Sequence, residues 1–323
     1  MHVFIAGGAG YIGSCTTEYL LDHGHQVTVF DALLNGHRDA VDPRAKFVKG
    51  NLADLDAIEA AVEAARPDGI IHFAAFIEVG ESMQRPLKYF RNNVANAINL
   101  VQAAADNSVR KVVFSSTAAV YGITEKFPIN EQFPHNPINP YGESKLMVEK
   151  ILDWQFRRCG LKYTALRYFN ASGATKLHGE DHHPETHLIP LVIQAATGER
   201  DDIKIYGTDY PTPDGTCIRD YIHVLDLAQA HLLALESDFC GALNLGTGGG
   251  HSVREVIAAV RKCCGHDFKV TEAPRRDGDP ARLIADSSEA KRVLGWKPQF
   301  QDIDAIVRSA WEWKMTHPTG YKE

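Results

Sequence analysis

The sequence lacks any excess of basic residues. Its 34 lysines and arginines stand against 41 acidic residues, giving a formal net charge of -7. Nucleic-acid binders carry a basic patch or stripe, so that class is set aside. The acidity is read as a matter of solubility. No apolar run approaches the roughly 18 residues that a spanning helix needs, so no membrane span is expected. The opening stretch MHVFIAGGAGYIG has no basic region ahead of an apolar core and is not read as a secretory signal. Cysteine is sparse: six in 323 residues (Cys15, Cys159, Cys217, Cys240, Cys263, Cys264), with no CxxC spacing. Reduced thiols in a cytoplasmic protein are expected. The adjacent Cys263 and Cys264 have no His or Cys at zinc-finger spacing, so no metal site is expected. No internal repeat, low-complexity tract or long linker interrupts the chain.

The first half alternates strand-like and helix-like segments. Strands are expected at His2–Ala6, Gln26–Phe30, Gly69–Phe73, Lys111–Ser115 and Tyr163–Tyr168. Helices are expected at Ile12–His23, Ala53–Ala65, Pro86–Asn107 and Tyr141–Cys159. Repeated βα units imply an α/β fold, a Rossmann-type doubly wound parallel sheet with helices on both faces. The second half is less regular. Residues 171–186 read as an ordered loop, 206–215 as turns, and Ser252–Cys264 and Ser287–Leu294 as helices. The expected division is a dinucleotide-binding domain at 1–171 and a smaller α/β substrate-binding domain at 172–323. Segments such as 217–236 would pack back on the first.

Directly after the first strand comes GGAGYIG, with Gly7, Gly10 and Gly13 in the spacing GxxGxxG. Glycines let the backbone turn tightly against a pyrophosphate, and a helix N-terminus then offers free N–H groups. The second strand ends at Asp31, an acceptor for the hydroxyls of an adenosine ribose. A carboxylate there would repel a 2′-phosphate, so NAD is expected rather than NADP.

Further along stand FSSTAAVYG, with three consecutive hydroxyls ending at Thr117, and NPYGESK, with Tyr141 and Lys145 four residues apart. On a helix, positions i and i+4 share a face. An ammonium beside a phenol stabilises the phenolate and lowers a pKa that is otherwise about 10. Thr117 could hold the reacting oxygen of a substrate. Such a trio suits proton removal from an alcohol as hydride leaves its carbon.

With HFAAFIEVGES, NNV, LRYFNASGA, RDYIHVLDLA, NLGTG and PRRDGDPA added, the chain resembles the extended short-chain dehydrogenase/reductase family over nearly its whole length. It is most similar to the branch that interconverts UDP-glucose and UDP-galactose. The resemblance implies that Tyr141 is the base, Lys145 its activator and Thr117 the third catalytic hydroxyl. It implies a cofactor site of Gly7, Gly10, Tyr11, Ile12, Gly13, Asp31, Asn51, Leu52, Phe73, Ala74, Ala75, Asn92, Lys145 and Phe169. For a UDP-hexose it implies Thr117, Tyr141, Asn170, Leu188, Tyr206, Arg219, Arg276, Asp279 and Leu283. Arginines suit a diphosphate because their planar donors pair with its oxygens. It further implies a homodimer.

The chain departs from the common pattern at Asn51, Ile77 and His187, which stand where aspartate, lysine and asparagine are frequent. Leu283 falls at the gate of the sugar pocket, where a bulky aromatic goes with exclusion of N-acetylhexosamines. Leucine is intermediate, so weak use of N-acetyl sugars is expected. A 4,6-dehydratase would carry an Asp-Glu pair where Ala118 and Ala119 stand. A UDP-glucuronate epimerase and a non-catalytic NAD-sensing protein are the remaining alternatives. Loss of the Tyr or Lys would mark the second of these, and both are present.

Overall fold

The first strands pair into one parallel sheet. The computed structural model describes residues 1–124, 126–276 and 278–322. Its early strands are β1 (His2–Ala6), β2 (Gln26–Asp31), β3 (Lys46–Lys49), β4 (Gly69–His72), β5 (Lys111–Thr117) and β6 (Lys162–Tyr168). A seventh, Gly241–Leu245, comes much later in the chain and closes the far edge beside β6. The order across the sheet is Gly241–Leu245, β6, β5, β4, β1, β2, β3. All of these pairings are parallel. The chain starts in the middle at β1, runs outward to β3, then returns to the other side of β1 as β4. That reversal opens a crevice at the carboxyl ends of β1 and β4, where ligands bind in such sheets.

Helices cover both faces, so the strands are apolar on both sides. Phe4, Ile70, Val112 and Phe114 turn to one layer. They meet Ile58 and Val62 of α2 (Leu55–Ala65), Leu100 of α5 (Asn96–Asp106) and Leu152 of α6 (Pro140–Cys159). The alternate residues Val3, Ile5, Ile71, Val113 and Leu166 turn to the other layer. That layer holds Leu20 of α1 (Tyr11–Asp22) and Leu227 and Leu235 of a helix at Val224–Glu236. A third core ties together Leu188–Ala196, Ile203–Tyr206, Val253–Cys264 and Ile303–Thr316, through Val192, Ile205, Val260 and Ile306.

Local chemistry sets several boundaries. α2 starts at Leu55 because the Asp54 side chain accepts from the Ala57 N–H at 3.1 Å. The long helix expected over 86–107 forms, running without interruption from Pro86 to Asp106, but it widens to a π turn in its middle. After α3 (Val79–Gln84) come α4 (Pro86–Tyr89), a wider π turn at Phe90–Ala95, and α5. β3 and the helices Leu188–Ala196, Val224–Glu236 and Ile303–Thr316 were not anticipated from the sequence. Residues 171–186 open in a short strand, Asn170–Ser172, which pairs with Tyr221–His223, and are otherwise irregular. Beyond residue 172 the chain keeps returning to the sheet. Val224–Glu236 packs on α1, Gly241–Leu245 extends the sheet, and Trp296 is buried in the layer beneath them. No helix among the described residues is long and apolar enough to cross a membrane.

Candidate active site

A cleft of about 1160 Å³ runs along the crevice, from the glycine loop to the end of β5. Two of the three loop glycines are forced by the protein itself. Gly7 has φ +88°, and a Cβ there would stand 2.4 Å from the Ala74 nitrogen. A Cβ on Gly13 would stand 2.2 Å from the Gly7 carbonyl oxygen. Gly10 differs, since a Cβ there meets only the Gly7 oxygen, at 3.6 Å, yet it lines the cleft. The protein itself thus leaves open space at Gly10, on the side that faces the cleft. α1 begins at this point with no side-chain cap and no acid in its first turn, leaving N–H donors for an anion. Asp31 lines the same end. Its carboxylate accepts from the Ala9 N–H at 3.0 Å and the Leu33 N–H at 2.8 Å. Burial raises its pKa and these amides lower it.

At the other end lie Thr117, Tyr141 and Lys145. α6 is aimed by Asn139, whose side chain accepts from the Gly142 N–H at 2.8 Å, with Pro140 opening the first turn. Gly142 lets that turn press on the loop after β5, because a Cβ there would sit 2.7 Å from the Ala119 oxygen. The three consecutive hydroxyls then separate in role. Ser115 Oγ is tied to the Tyr168 hydroxyl, and Ser116 donates to Glu149 at 2.5 Å. Glu149 is itself held by buried Arg167, at 2.9 Å from Nε. Thr117 caps the following turn, its Oγ1 accepting from the Ala119 N–H at 3.1 Å, and lines the cleft beside Tyr141.

Lys145 is buried beneath this surface. Its Nζ donates to the Ser115 carbonyl at 2.8 Å and lies 5.9 Å from the centre of the Tyr141 ring. Burial pulls the Lys145 pKa down to about 7, with Glu149 acting the other way. The Tyr141 pKa is raised, opposite to the lowering expected from the sequence. Burial of the phenol outweighs the hydroxyl contact from Thr117, which lowers it.

The cleft gathers most of the remaining expected residues. Tyr11, Ile12, Asn51, Leu52, Phe73, Ala74, Ala75, Asn92, Phe169, Asn170, Arg276 and Leu283 all line it, as does Ile77. Leu188, Tyr206, Arg219 and Asp279 stand back from it. Arg276 lies over the Tyr206 ring at 3.9 Å, and Arg219 is paired with Asp279. Leu283 packs against the small cluster of Val120, Tyr121, Ile129 and Leu146. His187, which replaces the frequent asparagine, turns its Nδ1 to Glu180 at 2.7 Å and Glu185 at 3.1 Å.

Asn93 is a positioning residue missed in the sequence. Buried in the π turn beside Asn92, it accepts from the Phe76 N–H at 2.9 Å and donates to the Phe76 carbonyl at 3.0 Å. It also donates to Ser144 of α6 at 3.1 Å, fixing the loop after β4 to that helix. The adjacent pair in NNV was the available signal.

Comparison with known proteins adds to this geometry. Residues 3–246 match the profile of the NAD dependent epimerase/dehydratase family. The chain is 50% identical to the UDP-glucose 4-epimerase of Lacticaseibacillus casei over 327 aligned positions, covering 99% of each chain. A solved structure of UDP-glucose 4-epimerase from Brucella ovis in complex with NAD matches at a TM-score of 0.93 and 46% identity, across 96% of this chain and 97% of that one. The UDP-Glc/GlcNAc 4-epimerase of Campylobacter jejuni matches at 0.87 and 42%, across 98% and 99%. With the likeness running through sheet, glycine loop and the chain's second half alike, this protein belongs to the NAD dependent epimerase/dehydratase family.

Proposed function

We propose that the chain inverts C4 of UDP-hexoses, interconverting UDP-glucose and UDP-galactose, with NAD held in the cleft. The observation that carries this reading is the meeting of Thr117 and Tyr141 in the cleft that begins at the glycine loop, with Lys145 beneath them. The residues fit the dinucleotide. Gly7 and Gly13 let the loop fold tightly on the protein's own backbone, Gly10 leaves open space beside the cleft, α1 presents uncapped N–H groups, and Asp31 lines the same end as an acceptor for a ribose. Asn51, Phe73 and Asn92 line the path between its ends.

The bound NAD would supply the acceptor for hydride from C4 and the donor that returns it to the opposite face of the sugar. The chain's own groups handle the proton and the positioning. Tyr141 takes the 4-hydroxyl proton and later gives it back. Thr117 holds the reacting oxygen, and Lys145 supplies positive charge beneath the phenol. The sugar must turn over between the two transfers. Binding contacts therefore belong on the uridine diphosphate, for which Asn170 and Arg276 line the cleft, with Leu188, Tyr206, Arg219 and Asp279 behind. Ala118 and Ala119 carry no acid or base after Thr117, which disfavours a dehydratase.

The test is incubation with UDP-galactose. UDP-glucose should form without added NAD when cofactor co-purifies. No interconversion with NAD supplied would remove the assignment. Leu283 leaves room for slow turnover of UDP-N-acetylgalactosamine, and equal turnover of both substrates would overturn this steric reading. A homodimer is part of the proposal. Met147 and Trp154 of α6 and Ile98 of α5 are exposed on neighbouring helices, Trp154 by 68%. The cytoplasm is the proposed compartment, consistent with the six free cysteines.

A further inference from the structure

The irregular segment after Asn170–Ser172 carries Glu180, His182, Glu185 and His187, in the spacing Glu-x-His-x-x-Glu-x-His. It folds so that one donor atom from each lies within 4.8 Å of the others. His187 Nδ1 stands 2.7 Å from Glu180 Oε1 and 3.1 Å from Glu185 Oε1. His182 Nδ1 stands 3.1 Å from Glu180 Oε1 and 3.9 Å from Glu185 Oε2. A tetrahedral ion with nitrogen and oxygen ligands at 2.0–2.1 Å holds neighbouring ligand atoms about 3.3 Å apart. The two Glu185 distances run to different oxygens, but one donor atom from each side chain lies within 4.8 Å of the others, so modest side-chain adjustment brings all four onto one ion.

The charges point the same way. Glu180 and Glu185 are only 8% and 5% exposed. Among the described residues, no lysine or arginine pairs with either, and their ionic partners are His182 and His187. Two carboxylates side by side out of water require compensating positive charge. A dication with two neutral imidazoles supplies it. So would two protonated imidazoles, and the experiment below separates the two.

We propose that Glu180, His182, Glu185 and His187 bind one zinc ion. Imidazole with carboxylate suits zinc among the late first-row dications. Four protein ligands leave no position for a reacting water, which makes the ion structural. Its place in the fold gives it a task. The His182 ring lies edge-on to Tyr11 with centres 6.3 Å apart, and Tyr11 donates to the Gly173 carbonyl at 2.5 Å. Zinc would staple the segment from 173 to 187 over the glycine loop. The expectation of no metal site came from looking for cysteine spacing. The donors here are nitrogen and oxygen, and Cys263 and Cys264 lie elsewhere, at the end of the helix Val253–Cys264.

The full chain, stripped with chelator and then equilibrated with zinc and desalted, should retain one zinc per chain by elemental analysis. With Co²⁺ in its place, the visible bands of a tetrahedral site should appear without sulfur-to-cobalt charge transfer. Zinc should raise the Tm of the stripped chain, and chelator should reverse the rise. His182→Ala and Glu185→Gln should each weaken zinc at least about 10²-fold. A Cys263→Ser, Cys264→Ser double variant should keep it. Retention of no stoichiometric metal by the unmodified chain would overturn the proposal in favour of protonated histidines. A thiolate signature in the cobalt spectrum, or zinc uptake unchanged in a folded His182→Ala, His187→Ala variant, would overturn it as well. The cobalt and stoichiometry readings need no variant and no turnover, so their failure is distinct from failure of the epimerase reading.

Discussion

Tyr141 and Lys145 are each held in a setting that opposes its charged form. Burial raises the phenol and pulls the ammonium to about 7. Near neutral pH the phenol is therefore held protonated, and Lys145 is poised between its charged and neutral forms. Tyr141→Phe should lower turnover by about 10²-fold or more while NAD and UDP-sugar still bind. An unchanged rate in a steady-state assay would place the base elsewhere. Lys145 also carries a stability cost. Its folded pKa lies below its unfolded one of about 10.4, so the unfolded chain binds the extra proton between those values. The penalty is full below about pH 7 and fades as pH rises toward 10. Lys145→Met should therefore raise the Tm of the ligand-free chain most at pH 6–7, with the gain shrinking at pH 9. A gain that grew with pH would contradict this. The pair was legible in the sequence because helical spacing fixes it. The direction of the Tyr141 shift was not, because it depends on enclosure. Asn93 and Glu149 were missed because their partners, Phe76, Ser144, Ser116 and Arg167, come from other elements.

Among the elements, the glycine loop makes the sharpest distinction. Gly13→Ala drives a Cβ into the Gly7 carbonyl and should lower the Tm as well as NAD content. Gly10→Ala meets no such obstacle in the protein, so it should keep the Tm of the stripped chain and lose NAD. Thermal melts with cofactor quantitation check both, and equal Tm losses would show that Gly10 is structural too. The strands and helices of the first half were readable because both faces of the sheet are buried and their apolar runs are dense. The widening at Phe90–Ala95 was not, since no proline or glycine marks the π turn. Its widened turn carries the neighbouring Asn92 and Asn93, one lining the cleft and the other clamping a loop. The helix Val224–Glu236 was hidden for a related reason. Buried residues fall all round it, so it lacks a clean polar face.

At the scale of the whole molecule, buried histidines set the response to acid. Desolvation holds His72 at about 3 and His223 and His231 at about 4, with Lys145 adding to the effect on His72. The unfolded chain takes up these protons near 6.5, before the folded chain does. Stability is thus lost as pH falls below about 6.5, by up to about 1.4 kcal/mol per pH unit for each histidine. Melts between pH 6.5 and 4.5 should show a fall in Tm, made shallower by His231→Phe. A flat profile in the parent chain would contradict this. Fold class and cleft position followed from the order of βα units, since the switch at β1 and β4 is a matter of topology. The way residues after 172 complete the sheet could not be read, because Gly241–Leu245 is short and its partner, β6, lies more than seventy residues earlier in the chain.

That late strand bears on how the protein can be dissected. A fragment ending at residue 171 would keep the glycine loop, Tyr141 and Lys145. It would leave β6 as a bare edge and strip the helix Val224–Glu236 from the apolar face formed by Val3, Ile5, Ile71, Val113 and Leu166. Such a fragment should aggregate rather than bind NAD. The dinucleotide half is therefore no portable cassette: it is finished only when the ribosome has delivered the segment that closes it.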